Sequence, residues 1–82
     1  MMNVQSAIAE FVGAEIAIDR PVAHDDDLIE SDLLDSAGIV ALLGFLEDRF
    51  EIVVDEDVDL VPENFRTIDA IAAFVARKLA AA

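Results

Sequence analysis

Asp35-Ser36-Ala37-Gly38-Ile39-Val40-Ala41-Leu42-Leu43-Gly44-Phe45-Leu46-Glu47-Asp48-Arg49-Phe50 is the stretch that decides the fold. Ile39, Leu42, Leu43, Leu46 and Phe50 recur at spacings of three and four, which predicts one helix over 36–50 with a wide apolar stripe. Glu47, Asp48 and Arg49 mark its wet side. Asp35 or Ser36 can cap its start. A helix striped in this way must bury that stripe against other helices.

Working outward, the chain supplies those partners. Val4, Ile8, Phe11, Val12 and Ile16 predict an amphipathic helix over about 3–17, with Asn3 able to cap it and Gly13 weakening it. Arg20-Pro21 breaks or follows that helix. Pro62-Glu63-Asn64-Phe65 suits a single turn over about 62–66, with proline at the first helical position. Thr67 then caps a last helix over 68–79, with Ile68, Ile71, Ala72, Val75 and Leu79 facing inward. Arg77 and Lys78 fall in its final turn, where cations complement exposed carbonyls. The fold class predicted is all-α: a small up-down bundle of three main helices plus one short helix, in one domain over 1–82.

Two acidic connections separate these helices. The first holds Asp25, Asp26, Asp27, Glu30 and Asp32, with Leu28, Ile29, Leu33 and Leu34 interspersed. The aliphatics read as pins and the carboxylates as solvated. The second opens with Ile52-Val53-Val54, which has no partner strand and reads as packed loop. Its acids are Asp55, Glu56, Asp57 and Asp59.

Composition narrows the function. A chain of 82 residues leaves room for one modest core and few places for a deep catalytic cleft. Eighteen acids against five bases give a net charge of −13, which repels nucleic-acid phosphates and anionic membranes and draws proteins with basic patches. There is no cysteine, so disulfides, thiolate metal sites and a cysteine nucleophile are excluded. The N-terminus has no basic region, and no apolar run approaches a membrane span. A cytoplasmic monomer is the expectation.

Ser36 is the candidate functional residue. It opens a helix behind a carboxylate, and Ala37 and Gly38 leave its hydroxyl sterically open. Free amides and the helix dipole at that place favour an anion. By spacing alone, the ordinary role of such a serine is an N-cap. Ser31 also sits beside acids, but no helix follows it, and Ser6 lies inside the first helix. His24 beside Asp25–Asp27 lacks a nucleophile elbow and a scaffold for a triad, and reads as a solvated loop residue. Asp25-Asp26-Asp27 and Asp55-Glu56-Asp57-Asp59 do not have the spacing of a calcium loop, so no metal site is expected. Phe11, Phe45, Phe50, Phe65 and Phe74 read as core, with Phe45 at the edge of the stripe and free to face a partner or cargo.

Asp35-Ser36 behind Leu33-Leu34, ahead of a helix running to Phe50, resembles the attachment motif of acyl and peptidyl carrier proteins. Val61-Pro62-Glu63-Asn64-Phe65-Arg66-Thr67-Ile68 resembles the third-helix segment of stand-alone carriers paired with acyl- or aminoacyl-activating ligases. Helix order, acidity and length agree, so the resemblance covers essentially the whole chain. It implies a carrier and not an enzyme. A phosphopantetheinyl transferase would attach 4′-phosphopantetheine from coenzyme A to Ser36, next to Asp35, and the arm's thiol would hold an acyl or aminoacyl thioester. The prosthetic group would supply the sulfur that the chain lacks.

The sequence departs from that family in two ways. Ala37 stands where leucine is usual. Gly38, Ala41 and Gly44 stand where fatty-acid-synthesis carriers bear acids. Ala37, Val40, Ala41, Gly44, Glu47 and Asp48 would therefore meet partners more by shape than by salt bridges. Those partners would be the transferase, an activating ligase, and downstream acyltransferases, synthases or tailoring enzymes. This points to specialised peptide- or polyketide-type biosynthesis and away from housekeeping fatty-acid synthesis. The alternative is an unmodified acidic helical adaptor for a basic protein.

Overall fold

A computed structural model describes residues 3–18 and 21–81. Arg20, half of the expected Arg20-Pro21 break, lies outside the described residues. The elements are α1 (Val4–Phe11), a π-helical turn (Val12–Ile16), α2 (Ser36–Phe50), α3 (Pro62–Phe65) and α4 (Ile68–Ala81). Among the described residues there is no strand. The bundle is helical, as the periodicity predicts.

Local chemistry accounts for each start. Asn3 accepts a hydrogen bond from the Ser6 amide at 2.7 Å, and Thr67 Oγ1 accepts one from the Ala70 amide at 2.9 Å. Pro62 occupies the first turn of α3. The helices close over Ile8, Val12, Leu42, Leu46, Ile68, Ile71, Phe74 and Val75, all essentially without exposure. Each such side chain contributes about 1.5–3 kcal/mol of hydrophobic stabilisation before entropy is set against it. Helix α1 packs mainly on α4, and α2 meets α4 more sparingly.

The structure differs from the periodicity in four places. The first helix does not stay α-helical to residue 17. The Ala17 amide donates to the Val12 carbonyl at 2.7 Å, a bond five residues back. The wider turn brings Ala17, 2% exposed, onto the core side with Val12 and leaves Glu15 in water. Second, α3 stops at Phe65, one residue short of the expected 66, and α4 runs on to Ala81.

Third, Leu79 does not face inward: it is 43% exposed, beyond the end of the core formed by Phe74 and Val75. Fourth, Arg77 and Lys78 do not serve the last carbonyls of α4. Side chains on a helix tilt toward its N-terminus, and these two reach back to Asn64 Oδ1 (2.8 Å) and Asp59 Oδ2 (2.7 Å).

Both connections are pinned by aliphatics. Leu28 is fully buried and Leu34 nearly so. In the second connection Ile52 and Val54 are buried while Val53 is exposed, an alternation that packs a loop without any sheet. The acids are not merely solvated. Asp26 Oδ2 accepts from the Ala23 amide, and Asp27 Oδ1 accepts from the Ile29 and Glu30 amides. The Asp27 bonds are turn-making bonds of the Asx kind, and the Asp26 bond closes the turn from the other direction.

Candidate functional site

The position of Ser36 is set by the connection that leads into α2. The Leu28 amide donates to the Arg66 carbonyl at 2.7 Å, and the Leu34 amide donates to the Leu28 carbonyl at 2.9 Å. Between them Asp32 takes a left-handed backbone, φ 60°, which lets the chain fold back in a few residues. Leu28 and Leu34 thereby enter the core together. Asp69 N–H adds a second tie, donating to the His24 carbonyl at 3.1 Å. The start of α2 is thus referred to the α3–α4 junction by backbone bonds and buried leucines.

Asp35, not Ser36, is the cap. Its Oδ1 accepts from the Gly38 amide at 2.8 Å, and its backbone is extended. Such a cap is worth about 1 kcal/mol, and its negative charge suits the positive end of the helix. Ser36 is therefore the first helical residue and is exposed. Among the described residues, the amides of Ser36 and Ala37 take no protein acceptor. Exposed hydroxyl, open amides and helix terminus coincide at one point of the surface.

Gly38 has a structural reason beyond leaving room for the serine. A Cβ there would meet Asp35 Oδ1 at 3.3 Å and Leu34 Cδ1 at 3.4 Å, so a larger residue would push on the cap. Gly44 differs: nothing lies within 4 Å of the position its Cβ would take. Its smallness serves no packing inside this chain.

The other residues singled out from the sequence fall as follows. Ala37, Val40, Ala41, Gly44, Glu47 and Asp48 are all exposed along α2, with Val40 at 71%. Glu47 is not wholly free, because its carboxylate accepts from the Val54 amide at 3.0 Å. Ser31 spends its hydroxyl on the Asp27 carbonyl at 2.7 Å. His24 faces Asp69, Nδ1 to Oδ1 3.9 Å, at the first turn of α4, and no hydrogen bond joins it to Ser36 among the described residues. Phe45 is half-buried, stacked on Phe11 with ring centroids 4.3 Å apart and edge-on to Phe50 at 6.1 Å. Among the described residues no group of three or more histidines, cysteines or carboxylates is arranged to hold a metal ion.

Two features of the surface were not legible in the sequence. A cleft of about 260 Å³ beside Ser36 is lined by Ile16, Leu33, Asp35, Ala37 and Ala41 with Glu15 at its edge. A second, of about 290 Å³, lies between α1 and α2 against Phe11 and Phe45. Both take part of their walls from the wide turn at Val12–Ile16, and no periodicity announces a π turn. Among the described residues no helix is long and apolar enough to cross a membrane.

No family profile matches the chain, and no solved structure matches it. A curated relative does. The chain is 33% identical over 78 residues to a protein of Exiguobacterium sibiricum named acyl carrier protein, covering 92% of this chain and 87% of the relative. Similarity over that much of both chains, on a helical bundle of this kind, shows that the chain belongs to the acyl carrier protein family, carriers and not enzymes, which bear a covalently attached 4′-phosphopantetheine.

Proposed function

We propose that Ser36 Oγ is the atom to which the 4′-phosphopantetheine is joined, and that the chain carries an acyl or aminoacyl group as a thioester on that arm. The observation that carries this reading is the exposure of Ser36 as the first residue of α2, immediately behind the Asp35 cap. The residues present fit the group. The serine hydroxyl is open, Ala37 and Gly38 are too small to screen it, and the unused amides of the first turn suit a phosphodiester. Asp35 opposes that charge, but its own carboxylate is engaged by the Gly38 amide. The arm supplies the thiol, which the chain does not. In the loading step the Ser36 oxygen would bond the pantetheine-side phosphorus of coenzyme A, the pyrophosphate P–O bond would break, adenosine 3′,5′-bisphosphate would leave, and the serine proton would pass to a base of the transferase.

The partners on this reading are a phosphopantetheinyl transferase, an acyl- or aminoacyl-activating ligase, and the acyltransferases, synthases or tailoring enzymes that take the cargo onward. Ala37, Val40, Ala41, Gly44, Glu47 and Asp48 form the strip they would read. Most of that strip is small or apolar, which favours recognition by shape and a dedicated peptide- or polyketide-type pathway over fatty-acid synthesis. The empty space around Gly44 supports this, since its smallness answers to nothing within the chain.

The test is intact mass after incubation with coenzyme A and a promiscuous phosphopantetheinyl transferase. The wild-type chain gains the mass of one arm. Ser36→Ala gains none and unfolds within about 0.5 kcal/mol of wild type, because an exposed hydroxyl contributes little to stability. An unchanged wild-type mass would instead favour an unmodified adaptor, and retention of the arm by Ser36→Ala would move the attachment elsewhere.

A further inference from the structure

Resting on the attachment at Ser36, we infer that the cargo is an aminoacyl group and that it lies in a trough between α1 and α2, its ammonium drawn to Glu10 and Glu15. The trough is the pair of clefts described above. They share Glu15 in their walls, and along α2 they follow one another: Asp35, Ala37 and Ala41 line the first, Phe45 and Arg49 the second. Ala37, Ala41, Phe45 and Arg49 recur every four residues, so both clefts open on the side of α2 that faces α1. The first begins beside the serine. The second is nine residues further along, about 13 Å at about 1.5 Å per residue.

Size limits the occupant. Each of the two spaces, about 260 and 290 Å³, is smaller than the roughly 300–1,000 Å³ typical of small-molecule sites. That suits one amino acid and the end of its tether, not a long alkyl chain. Its walls ask for an apolar body, because Phe11 and Phe45 stack face to face and both remain half-exposed to the groove. Its charge selects the head group. Among the described residues, Glu10, Glu15 and Asp35 line it with one cation, Arg49, a balance that attracts an ammonium and repels a carboxylate-bearing acyl group. An α-amino group next to the thioester is the cation such a cargo would present.

The test loads the full-length chain with two stable amide analogues that differ only in the amine, phenylalanyl-pantetheine and 3-phenylpropionyl-pantetheine, each added from its coenzyme A derivative. Amide ¹⁵N–¹H spectra are then compared with the unloaded holo form. Shifts at Ala14, Glu15, Phe11 and Phe45, at least twofold larger for the phenylalanyl form, are expected. Glu10→Gln with Glu15→Gln should bring the two forms level, both substitutions being at exposed positions. Shifts confined to residues 35–38, or equal shifts from the two cargoes, overturn the inference and leave attachment at Ser36 standing. A wild-type chain that accepts no arm breaks the attachment itself, and the trough falls with it.

Discussion

The two acidic connections on either side of α2 look alike in composition and are held by different forces. The one before α2 is pegged by fat: Leu28 and Leu34 are in the core, and backbone bonds tie it to Arg66 and Asp69. The one after α2 buries Ile52 and Val54 and then relies on polar ties gathered at Asp59. The Asp59 carboxylate accepts from Lys78 Nζ at 2.7 Å and from the Asp55 amide at 2.9 Å, and its carbonyl accepts from Asn64 Nδ2 at 2.7 Å. Val53, Val58, Leu60 and Val61 are left exposed. Both sides of α2 are thus anchored by buried aliphatics; the side that carries the proposed attachment serine adds backbone bonds to the α3–α4 junction, while the far side adds side-chain ties gathered on one carboxylate.

The largest effect expected from this contrast is that of Leu28→Ala. Removing a fully buried leucine costs about 2–5 kcal/mol, and for a chain this small that is a large share of its stability. Urea unfolding should show the loss, and amide spectra should show the start of α2 disturbed more than its end. A change spread evenly along α2 would mean that this connection does not set the serine's position.

A smaller effect, of opposite sign, is expected at the other end of the helix. Glu51 terminates α2 with a left-handed backbone, φ 54°, and makes no side-chain hydrogen bond or ion pair among the described residues. Glu51→Gly removes a conformational cost of about 1–2 kcal/mol and adds back part of it as unfolded-state entropy. A net gain of about 0.5 kcal/mol, read as a rise in the thermal midpoint, is the expected outcome; a fall would show that the carboxylate is engaged after all.

The subtlest difference appears only with pH. The hydrogen bond from Lys78, then that from the Asp55 amide, hold the Asp59 carboxyl below its ordinary value of 3.8, against a small opposing effect of burial. A carboxyl lowered in the folded state stabilises the fold above its unfolded value, and the contribution is lost as pH falls through the folded value. Asp59→Asn should therefore be less stable than wild type at pH 7, with the gap constant down to about pH 4–5 and closing below it. The thermal midpoints of the two proteins measured across that range decide it. A gap that persists at low pH would show that the stabilisation does not depend on the carboxylate charge, since the Asn64 bond to the backbone carbonyl is common to both proteins.

Most of the bundle could be read from the chain because its signals are local. Asn3, Asp35, Pro62 and Thr67 mark helix starts by side-chain chemistry confined to a few residues, and the spacing of Ile39, Leu42, Leu46 and Phe50 needs no tertiary knowledge. What escaped depends on where neighbours stop. Leu79 continues the periodic pattern of α4 but has passed the end of the core, so periodicity placed it inside wrongly. Lys78 and Arg77 stand near the helix end in the sequence, but their reach depends on Asp59 and Asn64 lying alongside. The opening at Ser36 was legible because it needs only small neighbours. The role of Gly38 in clearing the Asp35 carboxylate was not, since it depends on how the preceding loop turns.

The π turn at Val12–Ile16 carries one more consequence, for how the chain leaves its first helix. A turn closed by a bond five residues back holds one more residue than an ordinary α turn, and here it ends the helix, because Ala17 already departs from helical geometry at φ −106°, ψ 62°. The extra residue lets the segment finish on a small apolar side chain and keeps the Glu15 carboxylate out of an interior that, among the described residues, buries no polar or charged side chain.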